Sequence, residues 1–228
     1  MCSRCQRIEA IEQKILTFGI YIKIAMKIIC VGRNYSEHAK ELGNALPENP
    51  IIFIKPDTAL LKDNAPFYIP DFSQDIHYEC ELIFRISREG KHIEEQFVSS
   101  YLDGVGLGID FTARDLQTEL KSKGLPWTLA KAFNHSAPVS EFLPMNLFPQ
   151  LDYIRFDLSL NGELRQQGNS KQMTYSLPYL VSFISRYMTL RKGDIIFTGT
   201  PAGVGPVAIG DRLIGRLEGR EMLNFEVK

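Results

Sequence analysis

Residues 76–86 alternate with a period of two, which places Ile76, Tyr78, Cys80, Leu82, Phe84 and Ile86 on one face of an extended chain and Glu79 and Glu81 together on the other. The pattern predicts a single strand with an apolar face for the core and an acidic face of a different purpose. Residues 27–31 and 51–55 read as short buried strands around a helical stretch at 36–42, with Gly43 as its stop. The apolar, glycine-rich run 104–109 ends at Asp110 and leads into a helical pattern over 112–123. Ile154, Phe156, Leu158 and Leu160 alternate with polar residues and end at Asn161-Gly162, the strongest hairpin signal in the chain. Residues 176–187 predict an amphipathic helix with Pro178 in its first turn, and residues 212–217 and 222–227 predict a closing hairpin around Glu218-Gly219. Mostly strands with three helical stretches make the fold class α+β.

The acidic positions carry the candidate chemistry. Two carboxylates at i and i+2 of a strand stand roughly 7 Å apart and repel unless a cation or solvent intervenes. Taken alone, Glu79 and Glu81 are the wet face of a half-exposed strand. Asp110 changes the weighing, because it falls at a strand end beside a helix N-terminus, where functional carboxylates often lie. An all-oxygen set of this kind suits Mg²⁺ or Mn²⁺ and suits Zn²⁺ poorly.

Five segments then stand out in order: VGRNYSEHAKE at 31–41, IHYECEL at 76–82, GIDFTARDLQ at 108–117, GLPWTLAKAF at 124–133 and FTGTPAGVGP at 197–206. Together they resemble the fumarylacetoacetate hydrolase family, and most of all its acylpyruvate hydrolases and oxaloacetate decarboxylases. The resemblance runs from about residue 26 to the C-terminus. It implies a mixed β-sheet roll with peripheral helices, assembled as a homodimer. It places the metal ligands on Glu79, Glu81 and Asp110, and a catalytic dyad on His38 and Glu41. Substrate-polarising roles fall on Arg33, Gln117 and Lys131, and a carboxylate-holding loop on Thr198, Gly199, Thr200 and Pro201.

The chemistry is consistent with those assignments. A 2-oxo acid chelates one divalent cation, which stabilises the enolate left when a neighbouring C–C bond breaks. Acylpyruvate hydrolysis also needs an activated water, with His38 as base and Glu41 holding its tautomer, whereas oxaloacetate decarboxylation does not. The expected activity is therefore acylpyruvate hydrolysis, oxaloacetate decarboxylation, or both, on a small 2-oxo acid. An isomerase or tautomerase of the same family is the rival, and a non-catalytic oxo-acid binder a more distant one. Without the resemblance, His38 and Glu41 would be a solvated helix pair, Lys131 a surface lysine and the 198–205 segment a turn. Trp127 is expected to pack rather than to wall the site, and His77, His92 and His135 are left as structural or surface residues.

A chain of 228 residues, 44% hydrophobic and 23% charged, suits one globular domain, assigned to residues 26–228. Its net charge of −1, with scattered basic residues, argues against nucleic acid as a partner. Cys2, Cys5, Cys30 and Cys80 form no disulfide framework, and the expected compartment is the cytoplasm. The glycine runs match no dinucleotide fingerprint. Residues 1–25 read as an N-terminal extension outside the fold: the apolar run 15–26 is broken by Lys23 and too short to span a bilayer, so no membrane is expected. Met26 is then the expected start, so the intact protein from its own cell should have the mass of residues 26–228. A mass matching the whole chain would overturn that expectation.

Overall fold

A computed structural model describes residues 26–36 and 47–228. The expected helix at 36–42 and the 1–25 extension therefore lie essentially outside the described residues. A six-stranded mixed sheet runs in the order β2 (Ile51–Lys55), β1 (Ile28–Gly32), β12 (Ile195–Phe197), β5 (Cys80–Ile86), β6 (Leu102–Ile109) and β9 (Leu143–Pro144). Only β1 and β12 pair in parallel within it. A four-stranded antiparallel sheet runs β11 (Glu163–Asn169), β10 (Arg155–Leu160), β14 (Arg212–Leu217) and β15 (Arg220–Glu226). Two smaller ladders join β13 (Gly205–Pro206), β4 (Ile76–Tyr78) and β7 (Thr112–Ala113), and β3 (Leu60–Leu61) with β8 (Ala137–Pro138). Helices α1 (Arg114–Ser122), α2 (Thr128–Lys131) and α3 (Leu177–Tyr187) lie around these sheets. The class is α+β, as the patterning predicts.

The large sheet is buried on both faces. Leu82, Phe84 and Leu107 share one cluster with Phe156, Leu158, Leu213 and Phe225 of the four-stranded sheet. On the opposite face Ile28, Cys30, Ile83, Ile195 and Phe197 pack together with Ala59, Ala137 and Val139. Each Leu, Ile or Phe sealed in this way contributes about 1.5–3 kcal/mol. Glu79 and Glu81, which taken alone would read as a wet face, are both buried, and their neighbour on that side, Ile83, is fully so.

Residues 76–86 are also not one strand. The chain leaves one ladder and enters another at Glu79, so that β4 pairs with β7 and β13 while β5 pairs with β6 and β12. Glu79 thereby keeps its carbonyl for the Asp110 N–H at 2.8 Å. The helix expected from 112 begins at Arg114, because Thr112 and Ala113 pair with His77 and Ile76 and the Arg114 N–H goes to the Asp75 carbonyl. β2 is a sheet edge and only partly covered, with Ile54 exposed. Both predicted hairpins form, with left-handed turns at Asn161-Gly162 and Glu218-Gly219. Ser176 caps α3 by accepting from the Tyr179 N–H, with Pro178 in the first turn.

Strand β6 carries Asp110 to its place, and its glycines permit the close packing that does so. A Cβ on Gly108 would lie 2.5 Å from the Phe197 ring, which is itself fixed in the sheet. Gly108→Ala should therefore cost about 1–3 kcal/mol by overpacking. Urea unfolding checks this, and an unchanged midpoint would show that the sheet can yield at this contact.

Candidate active site

The three carboxylates meet where the sheets exchange strands. Asp110 follows the last residue of β6, Glu79 stands at the junction of β4 and β5, and Glu81 lies early in β5. Phe111 anchors the junction from behind, stacking on Phe67 at 3.9 Å and meeting Phe225 edge-on at 6.3 Å. One carboxylate oxygen from each of Glu79, Glu81 and Asp110 lies within 4.8 Å of the others, and all three residues are buried. At that separation each pair repels by about 3.5 kcal/mol for an effective dielectric of about 20. Burial pushes the Glu81 carboxyl well above the usual range, and Asp110 and Glu79 add to the rise.

Three cations answer these charges. Lys131, at the end of α2, donates to Glu79 Oε2 at 2.8 Å, Asp110 Oδ2 at 2.6 Å and Thr112 Oγ1 at 2.6 Å. Burial lowers its proton affinity, but Asp110 and Glu79 more than reverse that, so the ammonium is held charged. Arg114, the first residue of α1, pairs with Glu79 Oε1 and donates from Nη1 to Gln117 Oε1 at 2.6 Å. Lys55 approaches Asp110 Oδ1 at 2.8 Å from the opposite side. The carboxylates form a hard oxygen donor set with converging atoms, and a divalent cation fits them: Glu79, Glu81 and Asp110 would hold it.

A cavity of about 40 Å³ opens onto this cluster, lined among others by Arg33, Phe53, Gln117, Lys121, Trp127 and Thr200. Arg114, Gln117 and Lys121 follow helical spacing along α1, and so present a polar edge to the cavity. Trp127 does wall the site, contrary to the packing role expected of it: it meets Phe53 edge-on and lies under the Arg33 guanidinium at 5.9 Å. The loop 198–201, read as the carboxylate holder, meets the cluster through its backbone and through Thr200. The Gly199 N–H donates to Glu81 Oε2 at 2.6 Å, with Gly199 at φ +99°. The Thr198 hydroxyl is turned into the fold, donating to the Leu82 carbonyl, and is not part of the cavity wall. Thr200 lines the cavity while donating to the Cys80 carbonyl, and Gln166 holds its hydroxyl.

The structure thus brings together Glu79, Glu81, Asp110, Lys131, Gln117, Arg33 and Thr200, with Gly199 donating to Glu81 and Thr198 behind the loop. His38 and Glu41 lie outside the described residues. His77 pairs with Asp75 at 2.8 Å, and none of His77, His92 and His135 lines the cavity. Sequence reasoning missed Lys55, Arg114, Thr112, Phe53 and Lys121. For Lys55 a signal exists, a lysine closing an otherwise apolar strand; for Arg114 it is the three-residue spacing to Gln117. Lys131→Met should leave Glu79 and Asp110 without their shared cation and cost about 3–5 kcal/mol in EDTA. Urea unfolding of the metal-free protein measures it, and a loss below about 1 kcal/mol would mean that the carboxylates shed their charge instead.

The fumarylacetoacetate (FAA) hydrolase C-terminal family matches residues 27–225. The chain is 43% identical over 201 residues to oxaloacetate tautomerase FAHD1, mitochondrial, of Bos taurus, covering 88% of this chain and 91% of that one. It is 44% identical over 185 residues to oxaloacetate decarboxylase, mitochondrial, of Dictyostelium discoideum, covering 81% and 85%. Among solved structures, the fumarylpyruvate hydrolase from Pseudomonas aeruginosa in complex with Mn²⁺ and pyruvate is similar with a TM-score of 0.83, at 36% identity over 88% of each chain. With its sheets, its buried acidic triad and a match along nearly its whole described length, the chain belongs to the fumarylacetoacetate hydrolase family, a family of metal-dependent enzymes.

Proposed function

We propose that the protein is a Mg²⁺- or Mn²⁺-dependent enzyme that cleaves a C–C bond in small 2-oxo or 1,3-diketo acids, by acylpyruvate hydrolysis, oxaloacetate decarboxylation or both. The observation that carries this reading is the convergence of three buried carboxylates with Lys131 at the floor of one cavity. When bound, the divalent cation supplies Lewis-acid stabilisation of the negative charge that develops on a chelating 2-oxo acid. The protein's own groups do the rest. Lys131 brings a permanently charged donor to the same oxygens. Arg114 occupies Gln117 Oε1, which leaves the amide nitrogen as the end of Gln117 that donates to a carbonyl. Phe53 and Trp127 give the cavity an apolar wall, which excludes water and strengthens each of these interactions. His38 as general base, with Glu41 orienting it, completes the hydrolase reading.

A second reading, oxaloacetate enol–keto tautomerisation, is favoured by the name of the Bos taurus relative. It needs the same donors and a proton moved from the enol oxygen to carbon but no activated water, so hydrolysis of acetylpyruvate separates the two. The buried free thiols Cys30 and Cys80 support a reducing compartment, which we take as the cytoplasm although the named relatives are mitochondrial. The homodimer implied by the family resemblance remains part of the proposal.

Pyruvate release from acetylpyruvate and from oxaloacetate, with Mg²⁺ or Mn²⁺ and with EDTA, tests it. Both activities should require metal and should fall at least about a hundredfold in Glu79→Ala, in which a ligand is lost. His38→Ala should abolish acetylpyruvate hydrolysis while retaining metal-dependent release from oxaloacetate. Silence on both substrates, with rapid loss of the enol absorbance of oxaloacetate, would establish the tautomerase instead.

A further inference from the structure

Lys55 is fully sealed from solvent, and nothing in the reaction just described uses it. Its ammonium sits 2.8 Å from Asp110 Oδ1. That contact is an ion pair without a hydrogen bond; the ammonium donates instead to the carbonyls of Phe111 at 3.3 Å and Ser136 at 3.1 Å, to Ser136 Oγ at 2.9 Å and to the Lys131 carbonyl. Oxygens from four residues surround the ammonium, with the Phe133 ring 5.7 Å away. Such a cage has no room for substrate: Lys55 is not part of the cavity wall, although Phe53, two residues earlier on the same face of β2, is. Any influence on the reaction must therefore pass through the groups that Lys55 holds.

Those groups are the ones that set the metal centre. Asp110 has two oxygens with separate tasks. Oδ2 accepts from Lys131 at 2.6 Å, whereas Oδ1 lies 2.8 Å from Lys55. The Lys131 carbonyl, held by the same ammonium and by Ser136 Oγ at 2.9 Å, fixes the end of α2 from which the Lys131 side chain departs. One nitrogen on an edge strand thus ties β2 to the end of β6 and to α2. We propose that Lys55 is a positioning residue of the metal centre, orienting the Asp110 carboxylate through the ion pair at Oδ1 and aligning Lys131 beside it. The proposal rests on the reading of Glu79, Glu81 and Asp110 as metal ligands.

Charge alone and orientation make opposite predictions, which renders the idea testable. Removing a buried positive charge beside the site should tighten cation binding if Lys55 is merely a counter-ion. Loss of an orienting partner behind a ligand weakens it, by roughly 10- to 100-fold. The experiment is Mn²⁺ affinity from free-ion electron paramagnetic resonance, with the thermal midpoint of each protein with and without Mn²⁺, for wild type, Lys55→Met and Ser136→Ala. Lys55→Met should bind Mn²⁺ roughly 10- to 100-fold more weakly and gain less in midpoint from the ion. Ser136→Ala, which keeps the charge and removes one arm of its cage, should move in the same direction by less. Unchanged or tighter binding in Lys55→Met, or a lowered midpoint with an undiminished Mn²⁺-induced rise, would overturn the proposal. Should Lys55→Met fail to fold, Ser136→Ala decides, and unaltered Mn²⁺ affinity there overturns it. Wild type that binds no Mn²⁺ would instead defeat the metal-centre reading itself.

Discussion

Three carboxylates held within 4.8 Å of one another, in a place almost closed to water, are the constraint around which this protein is arranged. Left to themselves they would repel and take up protons, as the upward displacement of Glu81 shows. Lys131, Arg114 and Lys55 oppose that tendency from three directions, each anchored to a different part of the fold. Three cations thus stand against three carboxylates in one small volume. Such pre-oriented compensating groups suit a site in which negative charge gathers.

Holding such a cluster demands stiffness, and the two-sided burial of the large sheet supplies it. Glu81 and Ile83 project from the same side of β5, one into the site and the other into the second apolar cluster. Phe111 immediately follows Asp110 and is wedged between Phe67 and Phe225, so a movement of Asp110 would have to displace an aromatic stack. Gly199 offers its N–H to Glu81 from a left-handed backbone conformation in which an added Cβ would approach Asn34 to 2.8 Å. Asn34 in turn bonds to the Thr198 carbonyl and to both backbone groups of Tyr175. Packing and hydrogen bonding thus converge on the same few atoms, whereas the cavity mouth carries the longer polar side chains Arg33 and Lys121.

Much of this was legible in the order of residues. Alternation located β10, β14 and β15, and turn chemistry placed both hairpins, because period and positive-φ residues are local properties. The motif resemblance named Glu79, Glu81, Asp110, Lys131 and Gln117, which the fold brings to one cavity. Burial of the acidic face was not legible, since an alternating strand reads the same whether its second face meets water or another layer. Nor was the break at Glu79, which depends on β7 and β13 arriving from distant parts of the chain to pair with β4. Lys55 and Arg114 were passed over for the same reason: a lysine at a strand end and an arginine at a helix start are ordinarily solvated.

The sequence by itself determined the fold class, the positions of the turns and the oxygen-rich character of the site, because these follow from side-chain period, backbone preference and ligand chemistry. Tertiary structure alone decided which cation faces which carboxylate, that the Thr198 hydroxyl points inward, and that Trp127 walls the cavity. Electrostatic partnership between residues 55 and 110, or 79 and 131, is a matter of distances across the fold, and distance between remote residues is fixed only when the sheets have closed around them.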